Sequence, residues 1–518
     1  MQATLRSKHT HLYDFETHHI IYRTPLWTER AMRTHNLPRN VASAITIALV
    51  MALLIGAPAA VQAQADGPDP RQRLDELVDK LNTSGADYGE YVDTVFSDSL
   101  RAQIPPEVLV EVMTDLSGRG PWEVGELRRE IETGIAVSLH STSTDEWLAV
   151  DLTVDEAAPY QVSGIIMQPS SAPPTAAAGD SYTRDEVATE LGAMVDDLVA
   201  NDRFSGSVLV TDGNDAIYEA ATGTANKDYD VPNNIDTKFN LGSMNKMFTA
   251  VAIAQLVERG DVSFDDPLSE YLPTFPDRAS ADKIQIKHLL SHTSGLGSYF
   301  NREFMNSSRA LYRSVDDLMG LAEDEQLQFE PGTQWAYSNT GFLVLGKVIE
   351  VATGQDYHDY IRDHVTGPAG MAHTDAYQLD HVNSNLAVGY DLQEVEGERV
   401  WRNNIFLHVI RGGPAGGGYS TVGDLVRFAD ALRNGTLISR ETFAVMASAK
   451  PELGSDRYGY GFGIGSDGSV GHNGGFPGVS AELIFWPDRG WTVAVLSNYS
   501  GGVAPVVARA RRLVAESN

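Results

Sequence analysis

The run QPSSAPPTAAAG, from Gln168 to Gly179, constrains the fold of this chain most, because twelve residues of that kind cannot join a packed core. Proline, serine and alanine crowd together there without apolar periodicity, the composition of a linker. Taken as 168–180, it separates an N-terminal part, 66–167, from a longer part, 181–518. The shorter part shows helical spacing at Arg71 to Leu81 and Pro106 to Leu116. Strand-like alternation follows at Ile135 to His140, Trp147 to Val154 and Tyr160 to Met167. This pattern predicts a small α+β domain, and nothing in it has catalytic spacing.

Residues 1–65 read as an address rather than a fold. Val41 to Ala60 is almost wholly apolar, Arg33 and Arg39 precede it, and Ala63, Gln64, Ala65 offer a cleavage point before Asp66. These are the parts of a secretory signal, so the expected location is periplasmic or extracellular. The alternative is an uncleaved membrane anchor, since about twenty apolar residues just span a bilayer; Pro58 and the Ala-x-Ala site favour cleavage. Met32 is a second candidate start, and His9, His11, His18 and His19 fall in the discarded segment rather than in a metal site.

Charge and composition narrow the chemistry. With 70 acidic and 39 basic residues the net charge is −31, which repels nucleic-acid phosphates. The 518 residues contain no cysteine, which removes thiolate nucleophiles, thiolate metal sites and disulfides together. A small molecule or peptide is the expected partner, acted on by oxygen and nitrogen groups with no metal or cofactor.

The longer part opens and closes with hairpin signals. Gly206 to Thr211 and Ala216 to Ala221 flank Asp212, Gly213, Asn214 and Asp215; Ser480 to Phe485 and Trp491 to Leu496 flank Pro487, Asp488, Arg489 and Gly490. A helix from Val503 to Glu516 follows. Strands at both ends with helices between predict an antiparallel sheet that pairs the ends and carries helices on its faces.

Three short motifs carry the chemistry, in chain order. Ser243, Met244, Asn245, Lys246 begins a helix running to Arg259, with Gly260 as its stop. Three residues apart, serine and lysine share a helical face, so a desolvated amine can take the serine proton. The helix N-terminus favours the developing oxyanion. A second Ser-x-x-Lys, Ser280 to Lys283, lies in a loop without helical apolar pattern and reads as coincidence. Tyr337, Ser338, Asn339 then offers a phenol to relay protons and an amide to hold the lysine and a substrate carbonyl. Finally His472, Asn473, Gly474, Gly475 precedes a strand, where glycines permit close approach of a substrate and a backbone N–H can complete an oxyanion hole.

Ser-x-x-Lys, then Tyr-Ser-Asn, then His-x-Gly resembles the serine beta-lactamase and penicillin-binding-protein superfamily, in its class C beta-lactamase and D-alanyl-D-alanine carboxypeptidase-like branch. HLLSHTSGL (288–296), EPGTQWAYSNTG (330–341), GGPAGGGYST (412–421) and the segment 486–498 are also similar. The resemblance implies an α/β/α sandwich with an inserted all-helical region. It implies Ser243 as acylated nucleophile, Lys246 as its base, Tyr337 as proton relay, Asn339 as orienting amide, and Ser243 with Gly475 as oxyanion donors beside His472, Asn473 and Gly474. His472 stands where many beta-lactamases carry lysine, and Asn473 replaces a threonine. This favours an amide- or ester-cleaving hydrolase and weakens the beta-lactamase and carboxypeptidase alternatives; a non-catalytic binding or sensing protein on the same fold is the rival class. Residues 299–329 are the expected flap and Phe476 an expected wall, while His292 reads as a turn residue. The shorter part resembles NTF2-like or cystatin-like modules attached to exported hydrolases, here a spacer or dimerisation module.

Overall fold

The computed structural model describes residues 70–83, 85–104, 106–131, 133–142, 147–155, 157–170, 181–395 and 398–517. The expected export signal, 1–65, lies outside them, as do linker residues 171–180.

Four helices open the N-terminal part: α1 (Pro70–Leu81), α2 (Tyr88–Val95), α3 (Asp98–Gln103) and α4 (Pro106–Arg119). Four strands follow, β1 (Trp122–Ile131), β2 (Gly134–Ser141), β3 (Trp147–Val154) and β4 (Val162–Ser170), in an antiparallel sheet of order β1-β2-β3-β4. Leu74, Leu77, Val92, Leu100, Met113 and Trp122 meet Ile135, Val137, Leu139, Val150 and Leu152 in its core. The linker reading began too early: the backbone of β4 continues through Ser170, with Pro169 opposite Leu148. A proline fits there because β4 is an edge strand, where a missing N–H costs no ladder bond. Strand β1 escaped the sequence reading because Glu123, Glu126, Arg128, Arg129 and Glu130 mask its period. It is the other edge, exposed along nearly its whole length and bulged at two places, and charge and bulges discourage further pairing.

The C-terminal part is built on a six-stranded antiparallel sheet. Helix α5 (Arg184–Ala200) leads into the hairpin β5 (Gly206–Asp212) and β6 (Asp215–Thr222). After a long, largely helical insertion come β7 (Val470–Phe476), β8 (Val479–Phe485) and β9 (Trp491–Ser497), then helix α9 (Ala504–Ala515). The insertion contributes α6 (Asn245–Arg259), α7 (Asn339–Thr353) and α8 (Val422–Arg433). The sheet order is Gly463–Ile464, β7, β8, β9, β5, β6, so the last strand pairs with the first, Val495 opposite Val208.

Strand alternation explains the layers, since successive side chains point to opposite faces. Val208, Val210, Ile484, Val493 and Val495 pack under α5 and α9 against Val187, Leu191, Val507 and Leu513. Their neighbours Leu209, Leu483, Phe485, Ala494 and Leu496 face the opposite way, into the core of α6, α7 and α8. The result is the expected α/β/α sandwich with an all-helical insertion. The segment 299–329 is a wall rather than a loose flap: Tyr299, Phe304, Tyr312, Val315 and Leu318 are buried in the helical core.

Candidate active site

Ser243 lies in the tight turn Gly242–Met244 that feeds α6, and Lys246 is in the first helical turn. At Gly260 the backbone turns left-handed, φ +78°, and ends the helix. The turn is pressed against β7 so closely that only glycine fits on either side. A Cβ on Gly474 would stand 1.9 Å from the Leu241 carbonyl oxygen and 2.9 Å from the Ser243 nitrogen; one on Gly242, φ +50°, would stand 2.9 Å from the Gly475 nitrogen. The amides of Ser243 and Gly475 therefore border the same contact. Along β7, Asn473 and Gly475 are exposed and alternate with buried His472 and Gly474.

Lys246 is completely buried. Its Nζ lies 2.9 Å from Asn339 Oδ1, 2.6 Å from the Ala415 carbonyl oxygen and 3.2 Å from Ser243 Oγ. Burial holds the amine well below the ordinary lysine value, because removing a charge from water without an opposite charge beside it favours the neutral form. A neutral amine has two N–H groups and one lone pair. The two carbonyl-type oxygens can only accept, so they take the N–H groups and leave the lone pair for the Ser243 hydroxyl.

Tyr337 stands just before α7, near Ser243. Burial raises it above the ordinary tyrosine value, and the neighbouring Ser243 hydroxyl opposes that only in part, so the side chain is a phenol at neutral pH although 39% of its surface is exposed. Lys246 Nζ sits 4.8 Å from its ring centroid. Asn339, at the start of α7, gives its amide N–H to Ser298 Oγ at 3.1 Å while its oxygen holds Lys246. The structure thus brings together Ser243, Lys246, Tyr337 and Asn339.

His472 is close, its ring centroid 6.5 Å from that of Tyr337, but both ring nitrogens are engaged. Nδ1 meets the Asn473 carbonyl oxygen at 2.5 Å and Nε2 the Tyr458 hydroxyl at 2.9 Å. Burial first, then the nearby Lys246, lowers its pKa to about 3, so it carries no charge at neutral pH. The second Ser-x-x-Lys does not assemble: Ser280 Oγ bonds Asp277 at 2.6 Å and Lys283 pairs with Glu330 at 3.0 Å. Among the described residues no group of three His, Asp or Glu side chains is placed to hold a metal ion.

Sequence reasoning missed three supports of the site. The Ala415 carbonyl reaches Lys246 from a loop whose Gly418 N–H is held by Asn245 Oδ1 at 3.1 Å; the glycine-rich run marked that loop without pointing to one carbonyl. Tyr458, which carries no motif, fixes His472. His292 is more than a turn residue. Its backbone is left-handed, φ +61°; its carbonyl accepts the Ala336 N–H at 2.9 Å, and its Nδ1 accepts the Ser338 N–H at 3.0 Å. Its ring lies 4.3 Å from that of Tyr337 and 4.6 Å from that of Tyr458. One buried histidine therefore grips the backbone on both sides of Tyr337.

The family model described as Beta-lactamase matches residues 191–516, well over half of the chain. The chain belongs to the beta-lactamase family. A second family model, described as the ORF 12 gene product N-terminal, matches residues 68–158. A penicillin-binding protein of Bacillus subtilis is 32% identical over 331 residues, covering 60% of this chain and 71% of that relative. The esterase EstB of Burkholderia gladioli is 30% identical over 336 residues, 58% of this chain and 83% of the relative. A penicillin-binding protein structure from Bacillus halodurans superposes with a TM-score of 0.56 at 30% identity, covering 62% of this chain and 98% of that one. This family member is a serine hydrolase of the beta-lactamase and penicillin-binding-protein type.

Proposed function

We propose that this chain is an exported serine hydrolase that cleaves an amide or ester through an acyl-enzyme on Ser243. The observation that carries the reading is the buried Lys246, held well below the ordinary lysine value, whose Nζ lies 2.9 Å from Asn339 Oδ1, 2.6 Å from the Ala415 carbonyl oxygen and 3.2 Å from Ser243 Oγ.

In the first half-reaction Ser243 Oγ bonds to the substrate carbonyl carbon as its proton passes to Lys246 Nζ. The negative charge that develops on the carbonyl oxygen is held by the backbone N–H groups of Ser243 and Gly475. When the tetrahedral species collapses, the bond to the leaving amine or alcohol breaks, Tyr337 supplies the proton the leaving group takes up, and the proton held on Lys246 Nζ restores the Tyr337 phenol. Water then repeats the sequence on the acyl-enzyme, releasing the acid and restoring Ser243. Asn339 holds both Lys246 and the incoming carbonyl group, while His472 supports the strand that carries Gly475.

A fluorophosphonate probe tests the nucleophile: it should label the protein once, at Ser243, and leave Ser243→Ala unlabelled. Equal labelling of that variant overturns the assignment. Export rests on the apolar run 41–60 and the Ala63-Gln64-Ala65 site; the secreted form should begin at Asp66 when its N-terminus is sequenced, and recovery of the intact chain in the cytoplasm alone would refute it. The module at 66–167 is assigned a spacer or dimerisation role. Beta-lactam turnover is the weaker substrate reading, because His472 offers no charge to a carboxylate, and cephalosporin hydrolysis should be slow.

A further inference from the structure

Aromatic side chains gather beyond Ser243, at the Gly475 end of β7. Phe476 follows Gly475 on β7, and its ring lies 6.4 Å from that of Phe300, centroid to centroid. Phe300 is two residues past Ser298, the partner of Asn339, so the two phenylalanines approach from opposite sides of the catalytic group. Phe300 keeps 37% of its surface exposed, yet it is braced from behind by the buried rings of Tyr299 and Phe304, at 4.6 and 4.9 Å.

A third segment closes the rim. Asn404 gives its amide N–H to the Pro477 carbonyl oxygen at 2.8 Å, beside Phe476, and Arg309 gives a guanidinium N–H to the Leu407 carbonyl oxygen at 3.0 Å. His408 is thereby set edge-on to Phe476, with centroids 6.4 Å apart. The charged Arg309 at this rim is committed. Arg309 also donates to the carbonyl oxygens of Phe304 and Ser307, and burial pushes the His408 pKa down to about 4, so that ring is neutral at pH 7.

Position along β7 assigns this rim to one half of the substrate. The leaving group must point toward Tyr337, its proton donor, which sits at the His472 end. Phe476 lies four residues further, about 13 Å along an extended strand, so the group that stays on the serine points toward Phe476 and Phe300. From this geometry we infer that Phe300, Phe476 and His408 form an acyl-binding subsite for an uncharged aromatic or similarly bulky apolar group. The inference rests on the acyl-enzyme reading above and adds the class of acyl group to it.

The test compares p-nitrophenyl acetate with p-nitrophenyl phenylacetate, which share a leaving group and differ only in the acyl part. The purified full chain should favour the phenylacetyl ester in kcat/KM by about tenfold or more, the usual reward for filling an apolar pocket. In Phe476→Ala and Phe300→Ala that preference should fall about five- to tenfold, and Phe476→Leu, which keeps an apolar wall, should fall less. A preference for acetate in the parent protein, or a ratio unchanged in both alanine variants, overturns the subsite. Ser243→Ala separates the two readings. If it abolishes turnover while the ratio ignores Phe300 and Phe476, the subsite alone fails; if it leaves turnover intact, the hydrolytic reading fails and the subsite with it.

Discussion

At the scale of single residues, the site depends on a lysine whose burial disfavours its charged form. Among the described residues Lys246 has no carboxylate partner, and its hydrogen-bond neighbours are oxygens of Ser243, Asn339 and Ala415. The sign of the pH dependence follows. The amine binds a proton only below its depressed value, so kcat/KM should rise with pH through that value and then level off. Tyr337 is shifted upward and remains a phenol, so no loss is expected between pH 7 and 9; a fall in the pH–rate profile across that range would contradict the assignment. Lys246→Ala should lower kcat/KM by about 10²- to 10⁴-fold, the usual share of a positioned general base, as read from ester hydrolysis. His292 acts through Tyr337 rather than on substrate. Replacing it with alanine orphans the Ser338 N–H and strains a left-handed backbone, so kcat should drop about ten- to hundredfold with little change in KM. His292→Asn, which tolerates that backbone and retains an acceptor, should recover part of the loss; equal kcat in all three proteins would remove His292 from the site.

At the scale of elements, two adjacent glycines of β7 make opposite predictions. A methyl group on Gly474 meets the Leu241 carbonyl at 1.9 Å, whereas one on Gly475 meets nothing within 4 Å. Gly474→Ala must push the strand away from the Ser243 turn, and it should be destabilised by about 1–3 kcal/mol, as overpacked sites are. Gly475→Ala should unfold with the parent midpoint. Chemical denaturation of both variants checks this, and equal midpoints would contradict the tight apposition of turn and strand. Elements also show which sequence signals are readable. The helix that follows Ser243 and carries Lys246 was legible because its spacing, apolar face and Gly260 stop are all local. Strand β1 was not, because after Trp122 both of its faces are exposed, so no alternation of apolar and polar residues marks it.

At the scale of the whole molecule, desolvated histidines couple the fold to acid: His292 is held well below its ordinary value, and three others are shifted the same way. Burial lowers the pKa values of His288 and His408 to about 4 and that of His472 to about 3, against about 6.5 in an unfolded chain. Between those values the unfolded state binds more protons, so stability is complete above pH 6.5 and declines as pH falls toward 4. The urea midpoint should therefore drop between pH 7 and 5, where most carboxylates are still ionised, and the drop should be shallower in His288→Gln. A midpoint flat over that range would count against all three being neutral in the fold.

The amino-acid sequence by itself determined the order of the catalytic motifs, the hairpins at either end of the hydrolase part, and the one-turn spacing of Ser243 and Lys246. All of these are set by local geometry, in which turn residues, apolar periods and helical pitch act over a few positions. Only the tertiary structure decided that Lys246 is dry and held well below its ordinary pKa, that Ala415 and Asn339 occupy its N–H groups, and that Phe300 faces Phe476. Those properties depend on contacts between segments tens to hundreds of residues apart, and burial is a property of the assembled fold that no single segment carries.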